Sequence, residues 1–193
     1  KQKKFRQETM QFIAETPKLV KELISKNSHL IKKVYGTINW WNNQEQQIQK
    51  LINPVFTDIQ PFELEKISFL QTPQDVLALV EIPSYSFKDT KEWVLALDDI
   101  QDPGNIGTII RTAHWFGIQQ IVCSKNTADV YSPKVVQATM GSIFKVKVFY
   151  EELTDFFAKR NDIPVYGATL NGQPINKFEI KGPGIILIGN EGK

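Results

Sequence analysis

Apolar runs of strand length recur along the second half of the chain, with amphipathic segments between them. The runs predict strands at residues 93–97, 120–123, 145–149, 165–168 and 185–188. The segments between them predict helices at residues 106–116, 133–140 and 151–160. Because strands and helices alternate regularly, we expect a largely parallel sheet that is covered on both faces and binds ligands at the carboxyl ends of its strands.

The first half of the chain shows a shorter alternation. Helix-like stretches such as 17–25 and 42–51 are separated by apolar runs at residues 11–14, 31–35, 55–56 and 76–82, which indicates a small α/β domain. Residues 82–91 are polar and rich in turn-forming residues, so they are the best candidate for a linker. We therefore predict a small α/β domain over residues 1–83, a linker over 84–91 and a second α/β domain over 92–193.

The composition is that of an ordinary globular chain. Hydrophobic residues make up 41% and charged residues 23%, and no apolar run approaches the ~20 residues that cross a bilayer. Nothing resembles a signal peptide, so we expect no membrane partner and a cytoplasmic location. The net charge is only +2, but the first 33 residues carry nine Lys or Arg against three acids. This bias indicates either a landing surface for nucleic acid or a solvated helix face.

The scarcity of cysteine and histidine argues against two common kinds of catalytic site. The single cysteine, Cys123, lies in an apolar run and is expected to be a buried strand residue. His29 and His114 are the only histidines, too few to build a zinc site or a Ser-His-Asp triad with ease. We therefore expect no metal, and we interpret His114 as structural.

The segment 102–111 carries the first candidate chemistry. A buried strand ends before a turn that contains Pro103, and Asn105 is expected to cap the helix that follows. Gly107 would let a backbone or a ligand approach closely, and Arg111 lies about one helical turn later, where it could reach a phosphate or a ribose hydroxyl. By itself the segment is an anion-binding turn, and a purely local structural role stays open.

Two common nucleotide-binding motifs are missing from the sequence. The segment 102–111 contains no G-x-G-x-x-G, which disfavours a Rossmann dehydrogenase. Residues 189–193 would need a glycine at position 187 to form a phosphate loop, and Leu187 stands there. A nucleotide-binding enzyme of another class is therefore the weakest functional interpretation.

Several motifs in a fixed order resemble the SpoU family of RNA 2'-O-ribose methyltransferases, part of the SPOUT superfamily. The N-x-G-x-x-x-R motif at 105–111 is similar to the family's first signature. Residues 132–142 resemble its middle helix, which leads into a G-[AS] step, and residues 189–192 resemble its second signature. The segments 4–15 and 71–76 are similar to the small RNA-recruiting domain that precedes the catalytic one.

The resemblance implies an α/β-knot catalytic domain, in which a parallel sheet is threaded into a trefoil knot that forms the S-adenosylmethionine pocket. The family's cofactor-binding positions correspond to Thr169, Leu170, Ile188, Gly189, Asn190 and Gly192. Its catalytic positions correspond to Arg111, which acts on the ribose 2'-hydroxyl, and to Asn105 and Glu191, which hold the local geometry. The implied partners are tRNA or rRNA and a second copy of the chain, paired through the knotted domain.

The implied reaction is methyl transfer from S-adenosylmethionine to a ribose 2'-hydroxyl of RNA. An arginine is an unusual general base, because its pKa is above ~12. We therefore expect Arg111 to clamp the ribose hydroxyl and the adjacent phosphate, while the final proton acceptor stays open.

The sequence also departs from the family pattern. The third signature, an Asn- and Ser-containing segment, does not follow the second one, so we expect part of the cofactor pocket to lie outside this chain. Gln137 stands where relatives commonly carry a basic residue. These departures keep an alternative open, namely a non-catalytic RNA-binding protein that retains the SPOUT fold.

Two aromatic pairs have more than one interpretation. Trp40 and Trp41 are expected in the core or at a domain interface, with a base-stacking surface as the alternative. Trp115 and Phe116, at the end of the first motif's helix, are expected to make apolar packing contacts, within the chain or across a homodimer.

Overall fold

The computed structural model describes residues 3–169, 171–177, 179–180 and 182–190. They form two compact units, each built around its own sheet. The first unit contains the chain up to Ser84 together with Tyr131–Phe144, and the second contains Tyr85–Val130 and the chain from Lys145 onward.

The first unit is a small α/β domain, as the sequence predicts. In chain order its elements are α1 (Lys3–Thr9), β1 (Gln11–Glu15), α2 (Pro17–Asn27), β2 (Ile31–Gly36), α3 (Ile38–Asn42), α4 (Gln46–Ile52), β3 (Phe56–Asp58), α5 (Pro61–Ile67) and β4 (Val76–Glu81). The sheet order is β1-β4-β2-β3. Strand β4 runs antiparallel to β1 and β2, while β2 and β3 are parallel.

Helix α2 supplies much of the first core. The Thr16 hydroxyl caps the helix by accepting a 3.3 Å hydrogen bond from the Leu19 N–H, and Pro17 occupies the first turn, where its missing N–H does no harm. The buried side chains of α2 recur at the spacing of one helix face. They are Leu19, Val20, Leu23 and Ile24, and they pack against the sheet.

A segment from the second half of the chain completes the same core. Helix α7 (Pro133–Ala138) buries Val136 in the first unit's cluster. The Phe12 ring lies 5.0 Å from the Tyr131 ring and 6.2 Å from the Phe144 ring, measured between centroids. The helix was predicted from its amphipathic pattern, but that pattern does not record which sheet it packs against. The domain boundaries inferred from the sequence stay a prediction.

The second unit contains a parallel five-stranded sheet in the order β7-β6-β5-β9-β8, which confirms the predicted α/β class. Its strands are β5 (Val94–Leu97), β6 (Gln120–Cys123), β7 (Lys147–Tyr150), β8 (Val165–Gly167) and β9 (Ile185–Ile188). Its helices are α6 (Pro103–Trp115) and α8 (Leu153–Ala158). The trefoil knot expected from the family resemblance stays a prediction.

The two faces of this sheet are covered differently. On one face, Val94 and Ala96 of β5 pack with Phe156 of α8. On the other face, α6 lies beside Leu95 of β5 and Ile186 of β9. Central strands buried on both sides need apolar residues at successive positions, which explains the uninterrupted apolar runs in the sequence.

The predicted linker has no helix or strand between Ile82 and Lys91, but much of it is anchored to the second unit. The Phe87 ring packs edge-on against Phe156 at 5.1 Å, and the Arg160 guanidinium lies 4.5 Å from the Phe87 centroid. The buried Gln120 side chain accepts from the Lys88 N–H at 3.0 Å and donates to the Lys88 carbonyl at 2.8 Å. These contacts fix the chain before it enters β5.

Two single-residue expectations are confirmed. Cys123 is a buried free cysteine in β6, and its burial raises the pKa of the thiol to about 12, so the side chain is a neutral core residue. Trp40 is buried in the first core, and the Trp41 ring stacks on Phe56 with centroids 4.3 Å apart.

Among the described residues, no helix is long and apolar enough to span a bilayer, and no three metal-ligating side chains come together.

We predict that replacing Phe12→Ala destabilises the protein by about 3–5 kcal/mol, because it opens a cavity between the sheet and two aromatic rings. The free energy of unfolding from urea titration, followed by circular dichroism, measures the effect. Phe5→Ala is the matched control: Phe5 is 57% exposed, so its loss should change stability by less than about 0.5 kcal/mol. Equal effects of the two substitutions would contradict this view of the first core.

Candidate functional site

Helix α6 begins three residues before the predicted start at residue 106. Asp102 is the capping residue: its carboxylate accepts a 2.7 Å hydrogen bond from the Asn105 N–H, and Pro103 is the first helical residue. The expectation that Asn105 caps the helix is therefore wrong. Aspartate caps helices as well as asparagine does, and proline suits the first helical position, so the pair Asp102-Pro103 determines where the helix starts.

This shift leaves Asn105 in the first turn, with its side chain exposed. It lies in the wall of a cavity of about 390 Å³ at the carboxyl ends of β5 and β9. The other wall residues are Ile100, Gln101, Asp102, Thr108, Ile109, Ile188, Gly189 and Asn190. The structure thus brings one predicted catalytic residue together with three predicted cofactor-binding residues from more than 80 positions later in the chain.

The loop after β9 is held by hydrogen bonds to the loop after β5. The Asp98 N–H donates to the Ile188 carbonyl at 2.9 Å. The Asn190 side-chain amide donates to the Asp99 carbonyl at 2.8 Å. Because Ile188 and Asn190 are both hydrogen-bonded, Gly189, which lies between them in the sequence, is also held in place. The three residues form one wall of the cavity.

The cavity suits a ligand with polar and apolar parts, such as a nucleoside. The polar residues Gln101, Asn105 and Asn190 line it together with three isoleucines, Ile100, Ile109 and Ile188. A methyl group built on Gly189 would meet no other atom within 4 Å, so a ligand can approach this backbone closely. The residues present therefore fit the S-adenosylmethionine expected from the sequence.

Two other predicted site residues, Arg111 and Thr169, do not line this cavity. Arg111 is exposed on α6, about 120° around the helix axis from Asn105 and about 9 Å farther along it. Thr169 is exposed in the turn after β8, where its carbonyl accepts from the Gly172 N–H at 3.1 Å. Leu170, Glu191 and Gly192 lie outside the described residues, so their expected roles stay predictions.

An apolar groove of about 520 Å³ adjoins the cavity along α6. It shares Thr108, Ile109 and Ile188 with the cavity, and its remaining wall residues are Trp93, Leu95, Thr112, Ala113, Phe116, Ile118 and Ile186. At its end Trp115 and Phe116 are 85% and 74% exposed. The expected apolar packing of these two side chains is therefore not made within the described part of the chain.

Sequence reasoning missed the buried polar residues behind the cavity wall. Asp99 and Ser124 follow β5 and β6, and both are buried and hydrogen-bonded to each other. A signal was available, because polar residues directly after buried parallel strands lie at the edge where such sheets bind ligands.

Comparison with known proteins agrees with this geometry. Residues 92–193, just over half of the chain, match the SpoU rRNA Methylase family. Residues 1–78 match the MRM3-like substrate binding domain.

Several individual proteins are similar over nearly the whole chain. The 23S rRNA (guanosine(2553)-2'-O)-methyltransferase RlmP of Bacillus subtilis is 29% identical, covering 98% of this chain and 75% of that protein. A solved structure assigned to the TrmH family of RNA methyltransferases, from Porphyromonas gingivalis, has 33% identity and a TM-score of 0.84, covering 100% of this chain and 77% of that one.

A third similar protein is the AdoMet-bound rRNA methyltransferase from Sinorhizobium meliloti, with 29% identity, a TM-score of 0.84, and coverage of 98% of this chain and 74% of that one. The chain thus spans about three quarters of the length of these three proteins. It spans 17% to 48% of the length of seven further curated relatives. The family match, the parallel sheet and the placement of the motifs agree, and the chain belongs to the SpoU rRNA Methylase family.

Proposed function

We propose that this chain transfers a methyl group from S-adenosylmethionine to a ribose 2'-hydroxyl of RNA. One observation carries the proposal: Asn105 of the first family motif and Ile188–Asn190, at the second, line a single cavity at the carboxyl edge of a parallel sheet. The similar proteins named above are ribosomal or other RNA methyltransferases, one of them with bound AdoMet. Their names favour rRNA over tRNA as the substrate.

When bound, S-adenosylmethionine supplies an electrophilic methyl group on a sulfonium. We assign cofactor binding to the set predicted from the sequence, namely Thr169, Leu170, Ile188, Gly189, Asn190 and Gly192. Within the cavity, the backbone of Gly189 can contact the ligand directly, and the Asn190 side chain holds that loop against β5. Asn105 and Glu191 would maintain the local geometry on the two sides of the site.

Arg111 would act on the RNA. Its exposed position on α6 leaves the guanidinium accessible to a large substrate. A permanently charged guanidinium orients a phosphate and the neighbouring hydroxyl better than it removes a proton. Placing the hydroxyl oxygen in line with the methyl group would then supply much of the rate enhancement.

The predicted small domain over residues 1–83 would bind the RNA, joined through residues 84–91 to a catalytic domain over 92–193. The excess of positive charge counted in its first 33 residues is partly offset in the structure, because several of these lysines lie beside acidic side chains. Lys4 lies 3.8 Å from Glu8, Lys21 lies 2.9 Å from Glu45, and Lys32 pairs with Glu81. Lys4, Lys21 and Lys32 therefore have acidic partners, and RNA would contact a surface where charge is partly balanced.

We further propose that two copies of the chain pair through the second unit, and that the protein acts in the cytoplasm. Trp115 and Phe116 extend the apolar groove beside α6. Together they form a contiguous apolar surface, which is typical of an interaction site, whereas isolated exposed apolar side chains are normal on monomers. Arg111 precedes Trp115 by four residues, so both lie on one side of α6. A second copy that covers Trp115 would thus also lie near Arg111.

The first test is calorimetry of the full-length protein with S-adenosylmethionine, combined with single-turnover methylation of RNA. We expect binding by the unaltered protein. Arg111→Ala should bind the cofactor equally well but methylate about 100-fold more slowly, because it removes a preorganised donor. Lys159→Ala, which removes an exposed cation from α8's end, is the control. Cofactor-independent RNA binding with no methylation would instead support the non-catalytic alternative.

The substrate can be identified in cells. We expect a strain that lacks the gene to lose 2'-O-methylation at a specific rRNA nucleotide, and the Arg111→Ala gene not to restore it. Mapping ribose methylation across rRNA and tRNA measures both. If the deletion strain retained every ribose methylation of the parent strain, the proposed function would be contradicted.

The dimer can be tested by sedimentation equilibrium. We expect the protein to be dimeric, and Trp115→Asp to raise the dimer dissociation constant by about 30-fold, because it places a charge where an aromatic side chain is buried. Phe62→Asp is the control, since Phe62 is 56% exposed on the first unit. A monomeric unaltered protein would refute the pairing, as would equal dissociation constants for both variants.

A further inference from the structure

Asp99 combines two properties that rarely occur together. It lies just after the central strand β5 with a φ of 56°, in the left-handed region, and it is only 5% exposed. The other non-glycine residues with positive φ in the described part of the chain are Met10, Thr16 and Met140, and none of them is buried. Left-handed backbone is unfavourable for most residues with side chains. Aspartate adopts it more readily than most, because its short polar side chain can hydrogen-bond locally, and the surrounding contacts stabilise it further at Asp99.

Three hydrogen bonds use three different groups of Asp99. Its backbone N–H donates to the Ser124 hydroxyl at 2.9 Å. Its backbone carbonyl accepts from the Asn190 side-chain amide at 2.8 Å. Its carboxylate accepts from the Gln101 side-chain amide at 2.8 Å. One residue thus connects the ends of three neighbouring strands, β6, β5 and β9.

The Ser124 end of this network is itself held in place. The hydroxyls of Ser124 and Thr127 lie 3.1 Å apart, and the Thr127 hydroxyl donates to the Leu97 carbonyl at 3.2 Å. Ser124 and Thr127 are 9% and 1% exposed. Because these polar groups are buried, breaking one bond would leave its partners without water to replace it, which makes the arrangement stiff.

We infer that Asp99 is a positioning residue for the cofactor-binding loop, acting through Asn190; this inference rests on the proposed function. The direction of a backbone carbonyl depends on the φ and ψ of its residue. In the left-handed conformation the Asp99 carbonyl meets the Asn190 amide, and Asn190 then fixes the loop at Gly189. An extended backbone at position 99 would turn that carbonyl elsewhere and release the loop.

The inference makes the backbone conformation the important property, not the carboxylate. Glycine adopts positive φ without strain, while a β-branched residue strongly disfavours it. Asp99→Gly should therefore preserve the carbonyl direction, and Asp99→Val should disturb it. If the negative charge were the important property, both substitutions would weaken binding equally, because each removes the carboxylate.

The experiment measures the dissociation constant for S-adenosylmethionine by calorimetry on the full-length protein. We expect Asp99→Gly to stay within about twofold of the unaltered protein and Asp99→Val to bind about tenfold more weakly, the change that corresponds to one lost hydrogen bond. Met10→Val is the matched control, because Met10 has a φ of 51° in the first unit. It should lower the melting temperature without changing cofactor affinity.

A double substitution separates positioning from general stability. Asn190→Ala should weaken cofactor binding alone, and Asp99→Val added to it should weaken binding no further, although the melting temperature should still fall. Multiplicative losses of affinity would overturn the inference, and so would unchanged affinity in Asp99→Val. If Asp99→Val does not fold, Ser124→Ala removes the acceptor of the Asp99 N–H, and unchanged affinity there overturns the inference equally.

The same measurements separate the two proposals. No binding by the unaltered protein would overturn the proposed function, and the inference with it. Tight binding by the unaltered protein and by every Asp99 and Ser124 variant would overturn the inference alone.

Discussion

The parallel direction of the second sheet is the constraint on which the site depends. When all five strands run the same way, their carboxyl ends lie along one edge, so loops from distant parts of the sequence meet there. The loops after β5 and β9 meet because the two strands are paired along their length, with Leu97 opposite Ile188. The 2.8 Å bond from Asn190 to Asp99 then fixes the loops relative to each other. Without strand pairing in this register, the two family motifs would have no common cavity.

The sequence predicted the second sheet well because burial on both faces produces a strong pattern. All five strands begin or end within two residues of the predicted positions, as in β5, expected at 93–97 and found at Val94–Leu97. The start of α6 was less predictable, since Asp102 and Asn105 are equally good capping residues. Only the contact between the Asp102 carboxylate and the Asn105 N–H distinguishes them.

The site was only partly predictable. Family motifs identified Asn105 and the residues from Ile188 to Asn190, which do share a cavity. The position of Arg111 on another side of α6 follows from helical geometry once the helix start is known. Asp99 could not be singled out, because its importance comes from a left-handed backbone and from a serine 25 residues away. Neither property leaves a periodic pattern in the sequence.

The segment Tyr131–Phe144 has a consequence for how the protein folds as it is synthesised. Phe12 emerges from the ribosome early, yet the rings that cover it belong to residues more than a hundred positions later. Until those residues emerge, the first sheet exposes an aromatic side chain and part of its core, a state in which nascent chains are prone to aggregate. By then β5 and β6 have also left the ribosome, but β9, the partner of β5, has not, so the first unit completes its core before the second sheet is complete. Contacts between residues this far apart in the chain also make folding slower than the small size of the first unit would suggest.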